Sequence, residues 1–136
     1  IDDDTYDFVH ECFPPGRPIL AGVMDLTSRI FREFTYEGGV TDVSTPVNDV
    51  LIARKGVCQD FAHLEISALR SLGLPARYIS GYLLTHPPEG KEKLVGADAS
   101  HAWLSTWCPD LGWVDFDPTN NCIPSDEHIT LAWGRD

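Results

Sequence analysis

The sequence predicts an α+β fold, with helices in the first half of the chain, strands in the second, and one central helix packed on an antiparallel sheet. Three stretches carry that reading. From Cys58 to Leu72, the positions Cys58, Phe61, Glu65, Ala68, Leu69 and Leu72 recur at spacings of three and four, which puts one helical face against a core. Arg77 to Leu84 is rich in aromatic and branched residues and reads as a strand. Ala99 to Trp107 and Trp113 to Phe116 flank Cys108, Pro109, Asp110, Leu111 and Gly112, whose composition is that of a turn, so the pair reads as a hairpin.

With 136 residues the chain is one domain by length, large enough to bury a core without disulfide or metal staples. It begins with Ile1, which points to a processed or excised piece, and its end at Leu131-Ala132-Trp133-Gly134-Arg135-Asp136 points to truncation at the C-terminus. The formal net charge is -11, with 21 acidic residues against 10 basic ones scattered along the chain. Nucleic acid and anionic membrane both require clustered Lys and Arg, so neither is expected as a partner. No apolar run approaches the roughly 18 residues a bilayer span requires. The four cysteines, Cys12, Cys58, Cys108 and Cys122, show neither tight metal-ligand pairing nor the density of a disulfide framework. A reducing, cytoplasmic setting follows as the expectation, with no cofactor and no metal.

Residues 1–17 start on the acidic run Asp2, Asp3, Asp4 and run through Pro14, Pro15 and Gly16, the composition of a lead-in arm or linker before a core at 18–136. Phe8, Val9 and Phe13 offer anchors for that arm. From Pro18 to Phe34, helical spacing places Leu20, Val23, Met24, Thr27, Phe31 and Phe34 on a packing face. Thr45 before Pro46 reads as a hydroxyl cap with proline in the first helical position, opening a short helix to about Ala53 that buries Val47, Val50 and Leu51. Gly56 suits the bend that delivers Cys58 into the next helix, while Gly73 and Pro75 stop that helix. Gly81 suggests a bulge in the strand after it. The polar stretch His86 to Gly96 reads as an exposed connection or a lid over a neighbouring site. The tail from Cys122 is short and partly apolar, through Ile123, Ile129, Leu131 and Trp133.

The chemistry-bearing candidates lie on the central helix and the hairpin. A cysteine at a helix N-terminus feels unpaired backbone N–H groups and the positive end of the helix dipole, both of which favour the thiolate. If Trp107 faces Trp113 across the turn, Trp103 faces Asp117 and His101 becomes its diagonal neighbour on the same face, within reach of an imidazole–carboxylate bond. A slip of one residue sends Asp117 to the other face, and Asp115, of the same parity, competes for the role. The three side chains then have distinct tasks: Cys58 attacks a carbonyl carbon, His101 moves the proton, and an aspartate orients the imidazole. The Cys58 backbone N–H supplies one oxyanion donor, and no second donor is assigned. His63 lies about 140° round the helix from Cys58, which argues against a shared metal site and for a solvent-facing or supporting histidine. Trp103, Trp107 and Trp113 read as packing, and Asp60 and Asp98 as capping or solvated acids near the site.

Around these residues the wording is distinctive. The blocks GVCQDFA from Gly56, RSLGLPARYISGY from Arg70, SHAWLSTW from Ser100 and GWVDFDPTNN from Gly112 resemble the transglutaminase-like superfamily, most of all its bacterial branch. The resemblance runs from about Leu20 to Trp133 in the family's order and implies a papain-like fold, with Cys58 as nucleophile, His101 as base and Asp117 as the orienting acid. It also implies acyl transfer or hydrolysis at a protein or peptide amide through a thioester, with hydrolysis favoured over cross-linking. The other reading is a catalytically silent binding or assembly module on the same scaffold. Gln59 stands where animal transglutaminases carry tryptophan, and the calcium-binding and accessory domains of those enzymes have no counterpart in this length.

Overall fold

A computed structural model of the protein describes residues 3–42, 44–84, 89–90, 92–96 and 100–134. Its first element corrects the expectation of a lead-in arm over residues 1–17: Asp3–His10 form helix α1. Phe8 and Val9 on this helix and Cys12 just beyond it are 5%, 0% and 2% exposed, so the core holds the segment. The acidic start and the prolines at positions 14 and 15 masked an apolar face that spans barely two turns.

Helix α2 (Ile19–Glu33) occupies nearly the range expected, but on a different face. Val23, Leu26, Thr27 and Ile30 are buried, whereas Met24 and Phe31 are each 47% exposed. Two stripes of three-and-four spacing overlap along this helix, and packing against the central helix selects the one containing Leu26.

Strand β1 (Thr35–Tyr36), helix α3 (Val47–Ala53) and strand β2 (Lys55–Gly56) follow. The two short strands pair in parallel, Thr35 opposite Lys55 and Tyr36 opposite Gly56. Val50 and Leu51 of α3 are buried as expected. The expected Thr45 cap is not made: Thr45 Oγ1 accepts the Asp42 N–H at 2.9 Å, and Pro46 stands at the N-cap with no side-chain bond. Arg54 closes α3 in the left-handed region, φ 59°, and turns the chain into β2.

Helix α4 (Cys58–Ser71) is central, touching α1, α2 and α3 on one side and the sheet on the other. Because it is covered from both sides, Leu64 and Ile66 are buried along with Phe61, Ala68 and Leu69, a wider face than one stripe. Asp60 caps its start, accepting the Val57 N–H at 2.8 Å and the Thr41 hydroxyl at 2.6 Å through one oxygen. At the other end Gly73 adopts φ 80°, and the N–H groups of Gly73 and Leu74 bond Arg70 and Leu69 carbonyls.

The sheet comprises β3 (Ala76–Leu83), β4 (Ser100–Cys108), β5 (Gly112–Phe116) and β6 (His128–Gly134), antiparallel in the order β5-β4-β3-β6. Trp107 pairs with Trp113 and Cys108 with Gly112, the hairpin register the sequence suggests; Ala99 lies outside the described residues. β6 was not anticipated. It pairs with β3 through a register shift between Ser80 and Gly81, where a Cβ on Gly81 would stand 2.0 Å from the Ile129 carbonyl oxygen. Leu26, Ile30, Leu64, Leu69, Leu104 and Phe116 are fully buried between helices and sheet, each worth about 1.5–3 kcal/mol over an exposed position. Among the described residues, no helix is long and apolar enough to cross a membrane.

Candidate active site

Cys58 opens α4, 4% exposed, with its thiol donating to Gln59 Oε1 at 3.4 Å. The first intrahelical bond runs from Phe61 N–H to the Val57 carbonyl, so the Cys58 N–H is among the amides at the helix start that have no intrahelical acceptor. His101 stands on β4 and Asp117 just past β5, where the chain closes an isolated bridge to Cys122. The register of the hairpin brings His101 Nε2 to 3.0 Å from Asp117 Oδ2, both side chains 0% exposed. Asp115, the competing acid, instead accepts the Trp103 indole N–H at 3.0 Å.

An ionised carboxylate only accepts, so the ring nitrogen facing Asp117 carries the proton. That leaves His101 Nδ1, which is buried and has no hydrogen-bond partner within normal distance among the described residues, as the nitrogen open to the Cys58 proton. The backbone of Gly96, at φ 91°, packs on this side of the ring, and a Cβ there would stand 2.4 Å from Nδ1. Burial disfavours charge on His101, but its bond to Asp117 and its interactions with Cys58 and the Asp117 charge prevail and raise it to about 9. Burial likewise opposes charge on Asp117, yet the bonds from His101, His128 and Asn120 hold it well below the usual carboxylate range.

Four residues near this pair were missed in the sequence. Asn120 donates Nδ2–H to Asp117 Oδ2 at 2.9 Å and also brackets Val95, accepting its N–H at 2.8 Å and donating to its carbonyl at 3.1 Å. The polar run after Asp117 held the signal, because asparagine there suits a local side-chain-to-backbone turn. His128, at the start of β6, donates Nε2–H to Asp117 Oδ2 at 2.8 Å. Tyr36 reaches Cys58 through the β1–β2 pairing; burial raises its hydroxyl above the usual phenol range, with further effect from the Cys58 thiol and an opposing bond from the Cys58 amide. Glu65, two turns along α4, is fully buried, accepts the Thr27 hydroxyl at 2.8 Å and is pushed up to about 8 by burial. Its Oε1 has no hydrogen-bond partner among the described residues.

A cavity of about 480 Å³ opens beside the N-terminus of α4, bounded by Val57, Gln59, Asp60, His63, Tyr78 and Asp42 among others. His63 is half-buried and stacks on Tyr78, 4.8 Å between centroids and 19° between planes, which accounts for it without a metal. Trp103 is fully buried, while Trp107 and Trp113 form an exposed edge-to-face pair at 5.9 Å. Asp98 and most of the expected lid's first half, including His86 to Pro88 and Lys91, lie outside the described residues. Donor atoms of His101, Asp117 and His128 lie within 4.8 Å of one another. The contacts to Asp117, 3.0 and 2.8 Å, are N–H···O lengths, so hydrogen bonds account for this closeness.

Comparison with known proteins identifies the family and the fold. The model of the transglutaminase-like superfamily matches residues 8–118. An uncharacterized protein of Mycobacterium tuberculosis is 47% identical over 140 residues, covering 100% of this chain and 45% of its own length. A protein-glutamine gamma-glutamyltransferase of Pseudomonas aeruginosa is 32% identical over 107 residues, 73% of this chain and 16% of that protein. A solved candidate cysteine protease from Cytophaga hutchinsonii superposes with a TM-score of 0.78 at 30% identity, over 98% of this chain and 43% of that one. The chain thus spans under half the length of the mycobacterial relative and of this structural neighbour. By family model, sequence and fold, the chain belongs to the transglutaminase-like superfamily.

Proposed function

We propose that the protein performs cysteine-dependent acyl transfer at a protein or peptide amide, with Cys58 as nucleophile, His101 as acid and base, and Asp117 as orienting acid. The observation that carries this is the fully buried His101–Asp117 bond of 3.0 Å, which leaves Nδ1 of His101 for the thiol at the start of α4. The Cys58 proton passes to His101, which becomes an imidazolium, and the sulfur then bonds to the carbonyl carbon while the π pair moves to oxygen. Collapse restores the carbonyl and breaks the C–N bond, and the leaving nitrogen takes the proton from His101. Water then adds to the thioester while His101 takes its proton, and the C–S bond breaks to release a carboxylic acid and the thiol. A primary amine in place of water gives a new amide. Hydrolysis is the favoured outcome, and the glutamyltransferase relative keeps the amine in view.

The test uses the full-length protein with casein peptides, with and without a dansylated primary amine. Cleavage or dansyl incorporation is expected, with an acyl adduct on Cys58 by intact mass, and Cys58→Ala is expected to lower turnover by about 10⁴-fold or more. Turnover unchanged in Cys58→Ala sinks the proposal. So does the absence of an adduct together with iodoacetamide reactivity at Cys58 no faster than that of an ordinary thiol, an outcome that favours the silent-module reading.

A further inference from the structure

We propose that His128 is a positioning residue of the same site, resting on the function proposed above: its imidazole shares the Asp117 carboxylate with His101 and so sets how firmly His101 keeps its proton.

The geometry is specific. His128 Nε2 lies 2.8 Å from Asp117 Oδ2, the same oxygen that takes the His101 bond at 3.0 Å and the Asn120 bond at 2.9 Å. The His128 side chain is 3% exposed, and its ring meets the Trp103 indole edge-to-face at 5.0 Å. An oxygen has two lone pairs, so three donors on Oδ2 compete for the same electron density. The other oxygen, Oδ1, accepts the backbone N–H groups of Thr119 and Asn120 at 3.0 and 3.2 Å. A buried histidine on this crowded oxygen is more than the carboxylate requires for satisfaction alone. Its placement also rests on a built feature. Without the shift at Ser80 and Gly81, the Trp133–Ile79 register carried along β6 would set Ile129 opposite Leu83 and turn His128 to the other face.

The sign of the effect does not depend on how His128 is protonated. If neutral, it draws on the carboxylate through its N–H and weakens the hold of Asp117 on the His101 proton. If charged, it repels an imidazolium on His101, whose ring centroid is 6.3 Å away. In both states, removing His128 strengthens the hold of Asp117 on the His101 proton. Other groups act on this pair and are common to every variant: Cys58 on His101, and Glu65, Tyr36 and Cys122, each coupled to the Asp117 charge. Glu65 is protonated below about 8, and Cys122 is pushed up to about 12, chiefly by burial.

The experiment measures Cys58 alkylation by iodoacetamide across pH in full-length wild type, His128→Phe and His128→Gln. It requires no substrate, so it stands even if turnover is never found. The alkaline limb, where His101 loses its proton, is expected to move upward by about half a pH unit or more in His128→Phe, which fills the space without a donor. It is expected to move less in His128→Gln, whose amide restores an N–H. A limb unmoved in His128→Phe, with reactivity scaled equally at all pH, overturns the proposal and marks His128 as merely structural. Should His128→Phe fail to fold, the proton spectrum of the wild type decides. Two downfield imidazole N–H resonances, one of which disappears in His128→Gln, support the shared carboxylate; a single one overturns it.

Discussion

Tyr36 stands beside Cys58 because β1 pairs with β2, which places it opposite Gly56, two residues ahead of that cysteine. Its ring meets Phe61 edge-on at 6.2 Å, and burial, reinforced by the Cys58 thiol, keeps the hydroxyl protonated at neutral pH. The Cys58 N–H bonds the phenol oxygen and has no intrahelical acceptor, so the amide and the protonated hydroxyl form the pair of donors we propose for a tetrahedral oxyanion, the second of which the sequence left unassigned. Tyr36→Phe keeps the ring contact and removes the donor, so kcat is expected to fall by about 10²-fold with KM little changed. Steady-state kinetics decide it, and an unchanged kcat removes Tyr36 from the chemistry. Glu65 yields a second prediction, on stability. Burial raises it from 4.5 to about 8, so the folded chain keeps a proton that the unfolded chain releases above its own lower value. The stability tied to this group is therefore full below about 4.5 and lost as pH rises toward about 8. Glu65→Gln does not ionise, and its advantage over wild type is expected to grow from near zero at pH 4.5 to on the order of 4 kcal/mol at pH 8. Parallel stability curves in denaturant titrations would contradict it.

At the level of elements, what was legible depended on how local the controlling interactions are. α4 was plain because its periodicity, its Gly73 and Pro75 stop and the cysteine at its start all lie within one short window. The hairpin was legible for the same reason: a five-residue turn fixes the register, and the register fixes where His101 and Asp117 point. Residues decide the remainder at a distance. β6 pairs with a strand about fifty residues earlier and exposes Ile129, Leu131 and Trp133, so its alternation looked like an apolar tail. The shift at Gly81 that aims His128 arises from the approach of the Ile129 carbonyl, and no residue near His128 announces it. In α2, local spacing allowed two faces, and only the packing of α4 chose between them. Glu65 looked like one more point on an amphipathic face; what sets it apart is full burial with Thr27 as a partner from another helix.

For the whole molecule the dominant long-range feature is the net charge of -11. Several cations are already committed to surface pairs, Arg17 with Asp25, Arg29 and Arg54 with Glu33, and Lys55 with Glu37, so the surplus field is negative. Asp42 and Asp60 add that sign to the cavity beside α4. Against this stands the His101 imidazolium, buried at the thiol and hence little screened by salt. The two contributions separate by ionic strength, because the Debye length falls from about 30 Å at 0.01 M to about 3 Å at 1 M. Iodoacetate and iodoacetamide present the same reactive carbon to Cys58 and differ by one negative charge. The ratio of their rates, iodoacetate over iodoacetamide, is expected to rise several-fold across that range as the distant repulsion is screened while the local attraction persists. Mapping the alkylated cysteine keeps the measurement on Cys58. A ratio that stays flat or falls with salt means that the site does not feel the acidic surface. In that case acidic peptides meet no electrostatic barrier, whereas the expected rise favours neutral or cationic peptide segments as substrates of the thiol.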